Sequence, residues 1–214
     1  MITVFTGAWG SSHQPREVKL LRDQVADNLS IDHHFVCISD RLIEGVACVN
    51  RGTLPGWWRK LEVLQSRGPA MWLDLDVVVT GSLDDIVLAH VDATLACPWN
   101  WAQSGHGGCQ SSLMLWSRSL TEPMEHFDPA DAHWPPRNDL KWDSGVTQWG
   151  DQEWLTHMRD TGQLDVEPVN PAWVKSYKYH CRGGVPDDCR LVVFHGQPKP
   201  SEAMAQSPWI RDYR

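Results

Sequence analysis

An apolar run that carries two aspartates is the segment that most constrains how this chain can fold. Residues 71–79 read Met-Trp-Leu-Asp-Leu-Asp-Val-Val-Val, with Gly68-Pro69 shortly before them and Gly81 after them. A short apolar run between such breakers predicts a strand buried on both faces, as in sheets covered by helices. In one continuous strand, Asp74 and Asp76 would leave the same face about 7 Å apart.

The two carboxylates need a partner, because burying an unpaired charge is costly. The alternate residues of the run are all apolar and are predicted to lie in the core. Hard divalent cations such as Mg²⁺ and Mn²⁺ take oxygen ligands and keep positions open for a diphosphate. Sites in open α/β sheets form beyond the carboxyl ends of the strands. The run therefore predicts that Asp74 and Asp76 bind Mn²⁺ or Mg²⁺.

Strand and helix signals alternate around this run. Strands are predicted over residues 2–6, 34–39, 46–49, 95–98, 112–116 and 191–194, and helices over 15–29, 56–67 and 151–159. Residues 128–142 are predicted to form a long loop, and residues 196–214 an irregular tail. The alternation predicts one α/β domain over residues 1–214, with a mostly parallel central sheet covered by helices.

Composition narrows the function classes. The 214 residues, 42% hydrophobic and 21% charged, suit one globular domain. The net charge of -8 argues against a broad basic surface that wraps nucleic acid. No apolar run is long enough to span a membrane, and the first residues do not resemble a signal peptide. We therefore expect a cytoplasmic protein whose six cysteines are reduced.

The run and four further segments resemble one family. Leu73–Val79, followed by Gly81, resembles the DxD segment of GT-A fold glycosyltransferases, in particular family 8, the glycogenin and bacterial galactosyltransferase group. Four segments resemble other motifs of that family, in its order: Trp57–Leu61, Gln110–Leu115, Gly150–Leu155 and Val193–Pro200. The pattern is also similar to uncharacterised bacterial and phage proteins assigned to the glycosyltransferases.

The resemblance implies a Rossmann-like GT-A domain and a set of site residues. Residues 1–80 would form a nucleotide-binding half that ends in the DxD, and residues 81–214 a sugar and acceptor half with a metal-binding tail. The implied metal ligands are Asp74, Asp76 and His195. The implied donor-binding residues are Thr6, Gly7, Asp40, Lys60, Asp74, Ser111, Ser112 and Lys199.

The resemblance also implies the reaction. A hexose would move from a nucleotide-diphosphate sugar, with a UDP-sugar favoured, to an acceptor with retention of configuration. Asp151 and Gln152 would position the sugar near its anomeric carbon. The sequence departs from the family at its C-terminal motif, because His195 and Lys199 are only four residues apart and Gly196 follows the histidine directly. That departure weakens the assignment of the glycine and the lysine.

The acceptor stays open at this stage. Trp99, Trp101 and Trp142 are candidate acceptor contacts, because indole rings can stack on sugars. A saccharide, a lipid-linked sugar, a small molecule or a modified base in phage DNA are all compatible with the sequence. A DNA acceptor would need a basic strip with aromatic residues, for which Arg137, Lys141 and Trp142 are the candidates.

Two other functions remain as alternatives. A nucleotidyltransferase uses similar sheets and paired carboxylates, but it would have a basic, glycine-rich loop after the first strand. Residues 7–12 contain glycines and no lysine. A protein that binds nucleotide sugars or carbohydrates without turnover is the second alternative, and donor binding without release of nucleotide would identify it.

Overall fold

The computed structural model describes residues 1–10, 13–101, 108–137 and 139–213. Ser11 and Ser12, part of the glycine-containing segment, lie outside the described residues, as does Asn138 of the predicted long loop. The strands are β1 (Ile2–Ala8), β2 (His33–Ser39), β3 (Ala47–Val49), β4 (Ala70–Leu73), β5 (Val77–Val79), β6 (Leu95–Cys97), β7 (Leu113–Trp116), β8 (Val166–Pro168), β9 (Val174–Ser176) and β10 (Leu191–Val193). The α-helices are α1 (Pro15–Asn28), α2 (Arg59–Leu64), α3 (Asp84–Ala89), α4 (Glu122–Glu125), α5 (Asp151–Asp160) and α6 (Pro200–Ala203).

Seven strands form the central sheet, in the order β3-β2-β1-β4-β7-β6-β8. Strands β3, β2, β1 and β4 pair in parallel, as do β6 and β8. Strand β7 runs antiparallel to both β4 and β6. The mostly parallel, helix-covered sheet predicted from the alternation of elements is confirmed.

The strands β4, β7 and β6 of the central sheet are buried on both faces, which explains their continuous apolar sequences. In β4, Met71 and Leu73 belong to one core cluster, which also contains the apolar side of α1. Ala70 and Trp72 point the other way, into a second cluster that contains residues of α2 and α5. The period-two alternation within the strand therefore divides the interior into two layers.

A second, small sheet of three strands has the order β5-β10-β9. Strand β5 is antiparallel to β10, and β9 is parallel to it. The single strand predicted over residues 71–79 is therefore wrong: the chain leaves the large sheet after Leu73, turns through Asp74–Asp76, and enters the small sheet at Val77. The turn allows the run to pair with different neighbours on its two sides, while Leu75 and Val77 still join the same core as Met71 and Leu73.

The C-terminal tail is more ordered than predicted. It contains α6 and a 3₁₀ helix over Pro208–Tyr213. Ile210 and Ala203 are buried in a third cluster together with Tyr177 and Phe194. Tertiary packing thus stabilises helices too short to form from local propensity alone. Among the described residues, no helix is both long and apolar enough to cross a membrane.

Candidate active site

A buried lysine lies where β4 ends and α5 begins. Lys60, on α2, is 6% exposed. Its Nζ lies 2.8 Å from Asp74 Oδ1 and 3.6 Å from Asp151 Oδ2, and it donates to Ser111 Oγ at 3.1 Å. Burial alone would lower the pKa of Lys60, but Asp151 and Asp74 hold it above its usual value, so the ammonium stays charged. We call Lys60, Asp74, Ser111 and Asp151 the large-sheet cluster.

Asp74 is the most completely paired carboxylate of this cluster. Trp72 Nε1 donates to Asp74 Oδ1 at 2.8 Å, and the backbone N–H of Asp74 donates to the carbonyl of Ser112 at 3.0 Å. Burial alone would raise the pKa of Asp74, but Lys60, with Trp72 and Ser112, holds it below its ordinary value. Asp74 is therefore ionised, with its orientation set by β4 and by the start of β7.

Asp151 is the first residue of α5 and is almost completely buried. Its Oδ2 atom makes no hydrogen bond within the described residues. Burial raises the pKa of the carboxyl group, although Lys60 and Ser111 act in the opposite direction. Thr156 ties this helix to the segment before β7, because its hydroxyl accepts a hydrogen bond from the backbone N–H of Cys109 at 2.8 Å. The free oxygen of Asp151 is thus an acceptor held on a fixed helix start.

Gln152 and Glu153 follow on the same helical turn. Gln152 Nε2 donates to Glu153 Oε1 at 2.8 Å, while Glu153 Oε2 is buried without a partner in the described part of the chain. Burial raises the pKa of Glu153 to about 7. The Gln152 amide is therefore oriented by a carboxyl group that changes protonation state near neutral pH.

Asp76 belongs to a different environment, at the edge of the small sheet. Lys199 Nζ lies 2.5 Å from Asp76 Oδ2, and the backbone N–H of Phe194 donates to the Asp76 carbonyl at 2.9 Å. Burial and the neighbouring Asp74 carboxylate raise the pKa of Asp76, although Lys199 opposes them. Asp76 is therefore a crowded carboxylate for which an additional cation would be favourable.

His195 lies two residues beyond the end of β10, within an aromatic stack. Its Nε2 is 2.8 Å from Ser176 Oγ, and its ring is stacked with Trp101 at 6.0 Å and with Tyr179 at 5.9 Å between centroids. Burial lowers the pKa of His195, and Lys178 and Lys199 lower it further. The imidazole is thus oriented by its neighbours and favoured in the neutral form, which is the form that binds metals.

The predicted metal ligands fit a divalent cation in their chemistry. Asp74 and Asp76 are hard oxygen donors whose mutual repulsion a cation would relieve, and Ser176 leaves only Nδ1 of His195 without a hydrogen bond in the described residues. Nevertheless, no three His, Cys, Asp or Glu side chains within the described ranges are close enough together to hold a metal ion. Lys199 lies against Asp76 instead.

The predicted nucleotide contacts lie at the end of β1. The hydroxyl of Thr6 is buried without a hydrogen-bond partner in the described residues, and Asp40 Oδ2 accepts from the backbone N–H of Gly10 at 2.8 Å. Gly7 faces the ring of Trp9, since a Cβ at position 7 would lie 2.1 Å from it. The contacts of Thr6, Gly7 and Asp40 with a base or ribose stay predictions.

The three candidate acceptor tryptophans lie in different places. Trp101 stacks on His195 and so lies beside the small-sheet edge. The Arg159 guanidinium carbon lies 4.8 Å from the centroid of the Trp99 ring. Arg159 is about 12 Å along α5 from Asp151, so Trp99 contacts the far end of that helix. Trp142 packs on the rings of Trp154 and His157. Of the three, Trp101 is the one that the structure brings to the predicted site residues.

Sequence reasoning missed several residues that contact the predicted ones. Trp72 could have been found, because it precedes Asp74 by two residues in the run. The Trp9 ring lies 5.5 Å from the Arg59 guanidinium carbon and 6.3 Å from the Trp72 ring, measured to ring centroids. The only indication in the sequence was that an aromatic residue follows Gly7 closely. Nothing in the sequence indicated that Ser176 contacts His195, since β9 is too short for a periodic pattern.

Solved glycosyltransferases share this architecture. The galactosyltransferase LgtC, solved in complex with donor and acceptor sugar analogs, aligns with a TM-score of 0.61 at 12% identity, over 100% of this chain and 96% of LgtC. The bifunctional glycosyltransferase WbbM aligns with a TM-score of 0.62 at 9% identity, over 99% of this chain and 51% of WbbM. GlyE of Streptococcus pneumoniae TIGR4 aligns with a TM-score of 0.61 at 12% identity, over 98% of this chain and 62% of GlyE.

These similarities establish the GT-A fold that the motifs predicted. The chain spans about half the length of WbbM, and less than two thirds of GlyE, but nearly all of LgtC. No protein-family model and no curated protein matches the sequence.

Proposed function

We propose that this protein is a metal-dependent glycosyltransferase that moves a hexose from a nucleotide-diphosphate sugar, with a UDP-sugar favoured, to an acceptor with retention. The observation that carries the proposal is the position of Lys60 between Asp74 and Asp151. One ammonium ion joins the predicted metal ligand at the end of β4 to the predicted sugar-binding residue at the start of α5. In a chain with the GT-A fold, the end of β4 would lie beside the diphosphate of the donor, and the start of α5 would lie beside its sugar.

Asp74, Asp76 and His195 would hold Mn²⁺ or Mg²⁺, which acts as a Lewis acid for the departing diphosphate. Ser176 orients the imidazole of His195 and leaves its Nδ1 for a ligand. Lys60 keeps Asp74 ionised, and its charge also stabilises negative charge that develops on the leaving group.

Asp151 and Gln152 would bind the sugar. Asp151 Oδ2, which lies 3.6 Å from the Lys60 ammonium, can accept a hydrogen bond from a sugar hydroxyl, which would satisfy a buried oxygen that accepts no hydrogen bond in the described residues. The Gln152 amide, held through Glu153, would lie near the anomeric carbon. Ser111 and Ser112 are buried beside Lys60 and Asp74 and would line the same pocket.

The acceptor would approach past Trp101. Its ring lies beside His195, whereas Trp99 and Trp142 contact other parts of the fold. We therefore propose Trp101 as the tryptophan that contacts the acceptor, which is a saccharide, a small molecule or a modified base in DNA.

The test is release of nucleotide from a panel of nucleotide sugars, with Mn²⁺, Mg²⁺ or EDTA. We expect one donor to be consumed only when metal is present, and Asp76→Ala to lower that rate by about 100-fold or more. Trp142→Phe serves as a control on a tryptophan remote from the metal. If turnover requires the acceptor, binding can still be detected as a rise in the melting temperature with the same panel of nucleotide sugars. If no nucleotide sugar is consumed and none stabilises the protein with metal present, the proposal is wrong.

A further inference from the structure

Three strands of the small sheet have a terminus at the same end of the sheet, which we call its edge. Val77 of β5, Val193 of β10 and Ser176 of β9 are Cα partners across the sheet. Neighbouring strands are about 4.8 Å apart, so the residues just beyond these partners lie within about 10 Å of one another. This register brings Asp76, His195 and Lys178 to the same edge, although they are far apart in the sequence. We call these three residues and Lys199 the small-sheet cluster.

The backbone that carries Lys178 is firmly anchored. The preceding residue, Tyr177, is buried and stacks on Phe194 with a centroid distance of 4.3 Å and an interplanar angle of 15°. The Tyr177 hydroxyl group is 2.9 Å from Ser207 Oγ. The side chain of Lys178 therefore starts from a fixed position beside the end of β10.

The ammonium group of Lys178 lies over Gly196. A Cβ at position 196 would be 3.1 Å from Lys178 Nζ, and Gly196 has a φ of 68°, a conformation that favours glycine. Glycine at this position thus admits both the turn after His195 and the close approach of the lysine. Because Gly196 has no side chain, an oxyanion such as a phosphate could also approach the backbone beside the Lys178 ammonium.

Lys178 and Lys199 differ in their ion pairs within the described residues. Lys199 is paired with Asp76, but Lys178 makes no ion pair within the part of the chain that the structure describes. Both lysines disfavour protonation of His195, so their two positive charges lie near one another and face one carboxylate, Asp76. The two ammonium groups therefore repel each other. An anion bound here would relieve that repulsion.

We propose that Lys178 binds the diphosphate of the nucleotide-sugar donor, and that Lys199 mainly neutralises Asp76. This inference rests on the proposed function. It also accounts for the spacing of the C-terminal motif: with Lys199 only four residues from His195 and paired with Asp76, the cation over Gly196 comes from a separate strand end.

The test is isothermal titration of inorganic pyrophosphate and of UDP, each with Mn²⁺, into the wild-type protein, Lys178→Met and Lys175→Met. Lys175 is the matched control, because it is a half-buried lysine of β9 without an ion pair in the described residues. We expect Lys178→Met to weaken both ligands by about 10- to 100-fold and Lys175→Met by less than about 3-fold. Equal affinities in the two variants would refute the inference.

Two further variants distinguish loss of the anion contact from loss of folding. Lys178→Arg keeps the charge and should retain most of the affinity, whereas Gly196→Ala should displace the ammonium and weaken both ligands. Thermal denaturation of each variant verifies that it is folded. Pyrophosphate binding that depends on Lys178, when no nucleotide sugar is consumed and none stabilises the protein with metal present, would support the anion site and refute the transferase. Turnover that is unchanged in Lys178→Met would refute only the anion site.

Discussion

Asp74 and Asp76 are separated by one residue, yet they lie in opposite electrostatic environments. Asp74 is paired with the buried Lys60 and with the Trp72 indole, and its pKa is held low. Asp76 is paired with Lys199, a side chain that is 38% exposed, and its pKa is raised. The large-sheet cluster thus holds a buried ammonium between its two carboxylates, whereas the small-sheet cluster combines a crowded carboxylate with two ammonium groups.

The difference follows from which sheet supplies each partner. The large-sheet cluster uses β4, β7, α2 and α5, all packed into the central core. The small-sheet cluster is built on strands of three residues and on the turns after them. The comparison teaches that the carboxylates of one cluster already share a buried cation within the core, while the charges of the other cluster lie at short strands and favour further ligands.

The largest expected difference concerns stability. Lys60→Met leaves Asp74 and Asp151 buried without a cation and should lower the free energy of unfolding by about 3–5 kcal/mol. Lys199→Met breaks a partly exposed pair and should cost less than about 1 kcal/mol. Guanidinium denaturation of both variants measures the difference. Lys60→Met with Asp151→Asn should recover part of the loss, and equal costs for the two single variants would contradict the comparison.

The second prediction concerns the pH dependence of stability. Folded Glu153 holds its proton up to about pH 7, whereas its ordinary pKa is 4.5, so the folded state binds more protons between these values. The free energy of unfolding should therefore fall as the pH rises from 4.5 to about 7, by up to about 3 kcal/mol.

Glu153→Gln tests this, because the amide keeps the oxygen that accepts from Gln152 and cannot ionise. The variant should be more stable than the wild-type protein at pH 8 and should lack most of the slope between pH 5 and 7. Denaturation curves across that range provide the measurement. Parallel pH profiles for the two proteins would place the titrating group elsewhere.

The third prediction concerns how His195 is held. Ser176→Ala removes the hydrogen bond to Nε2, so the imidazole should lose its fixed orientation. Loss of such a supporting hydrogen bond weakens metal binding by about 10- to 100-fold. Titration with Mn²⁺ in the presence of UDP measures the effect, and Ser176→Thr should restore affinity by keeping the hydroxyl. An unchanged affinity in Ser176→Ala would show that this hydrogen bond does not support a metal ligand.

The smallest expected effect concerns competition at Asp76. Lys199→Met removes an ammonium that lies 2.5 Å from the carboxylate, so Mn²⁺ alone should bind a few-fold more tightly. Mn²⁺ titration followed by electron paramagnetic resonance can resolve such a change, with Lys175→Met as the control for altered net charge. Weaker binding in Lys199→Met would mean that the lysine supports the metal site and does not compete with it.

The sequence predicted the elements of the large-sheet cluster better than those of the small-sheet cluster. Lys60, Asp74 and Asp151 lie at the ends of elements with a clear periodic pattern, and the structure brings them together, while their roles toward a donor stay predictions. The continuous strand through Asp76 was wrong, and β9 was not predicted. Strands of three residues have no periodicity to detect, and their pairing is decided by distant partners.

By itself, the sequence determined the α/β class, the GT-A pattern and the two buried layers of the large sheet. It did so because strand and helix signals alternate along the chain, and because a continuous apolar strand can be satisfied only by burial on both faces. Only the tertiary structure decided that Lys199 pairs with Asp76, and that Lys178 lies over Gly196. Those contacts join residues separated by long stretches of chain, and no local preference specifies them. They depend on the register between β5, β10 and β9, which forms only when the whole core packs.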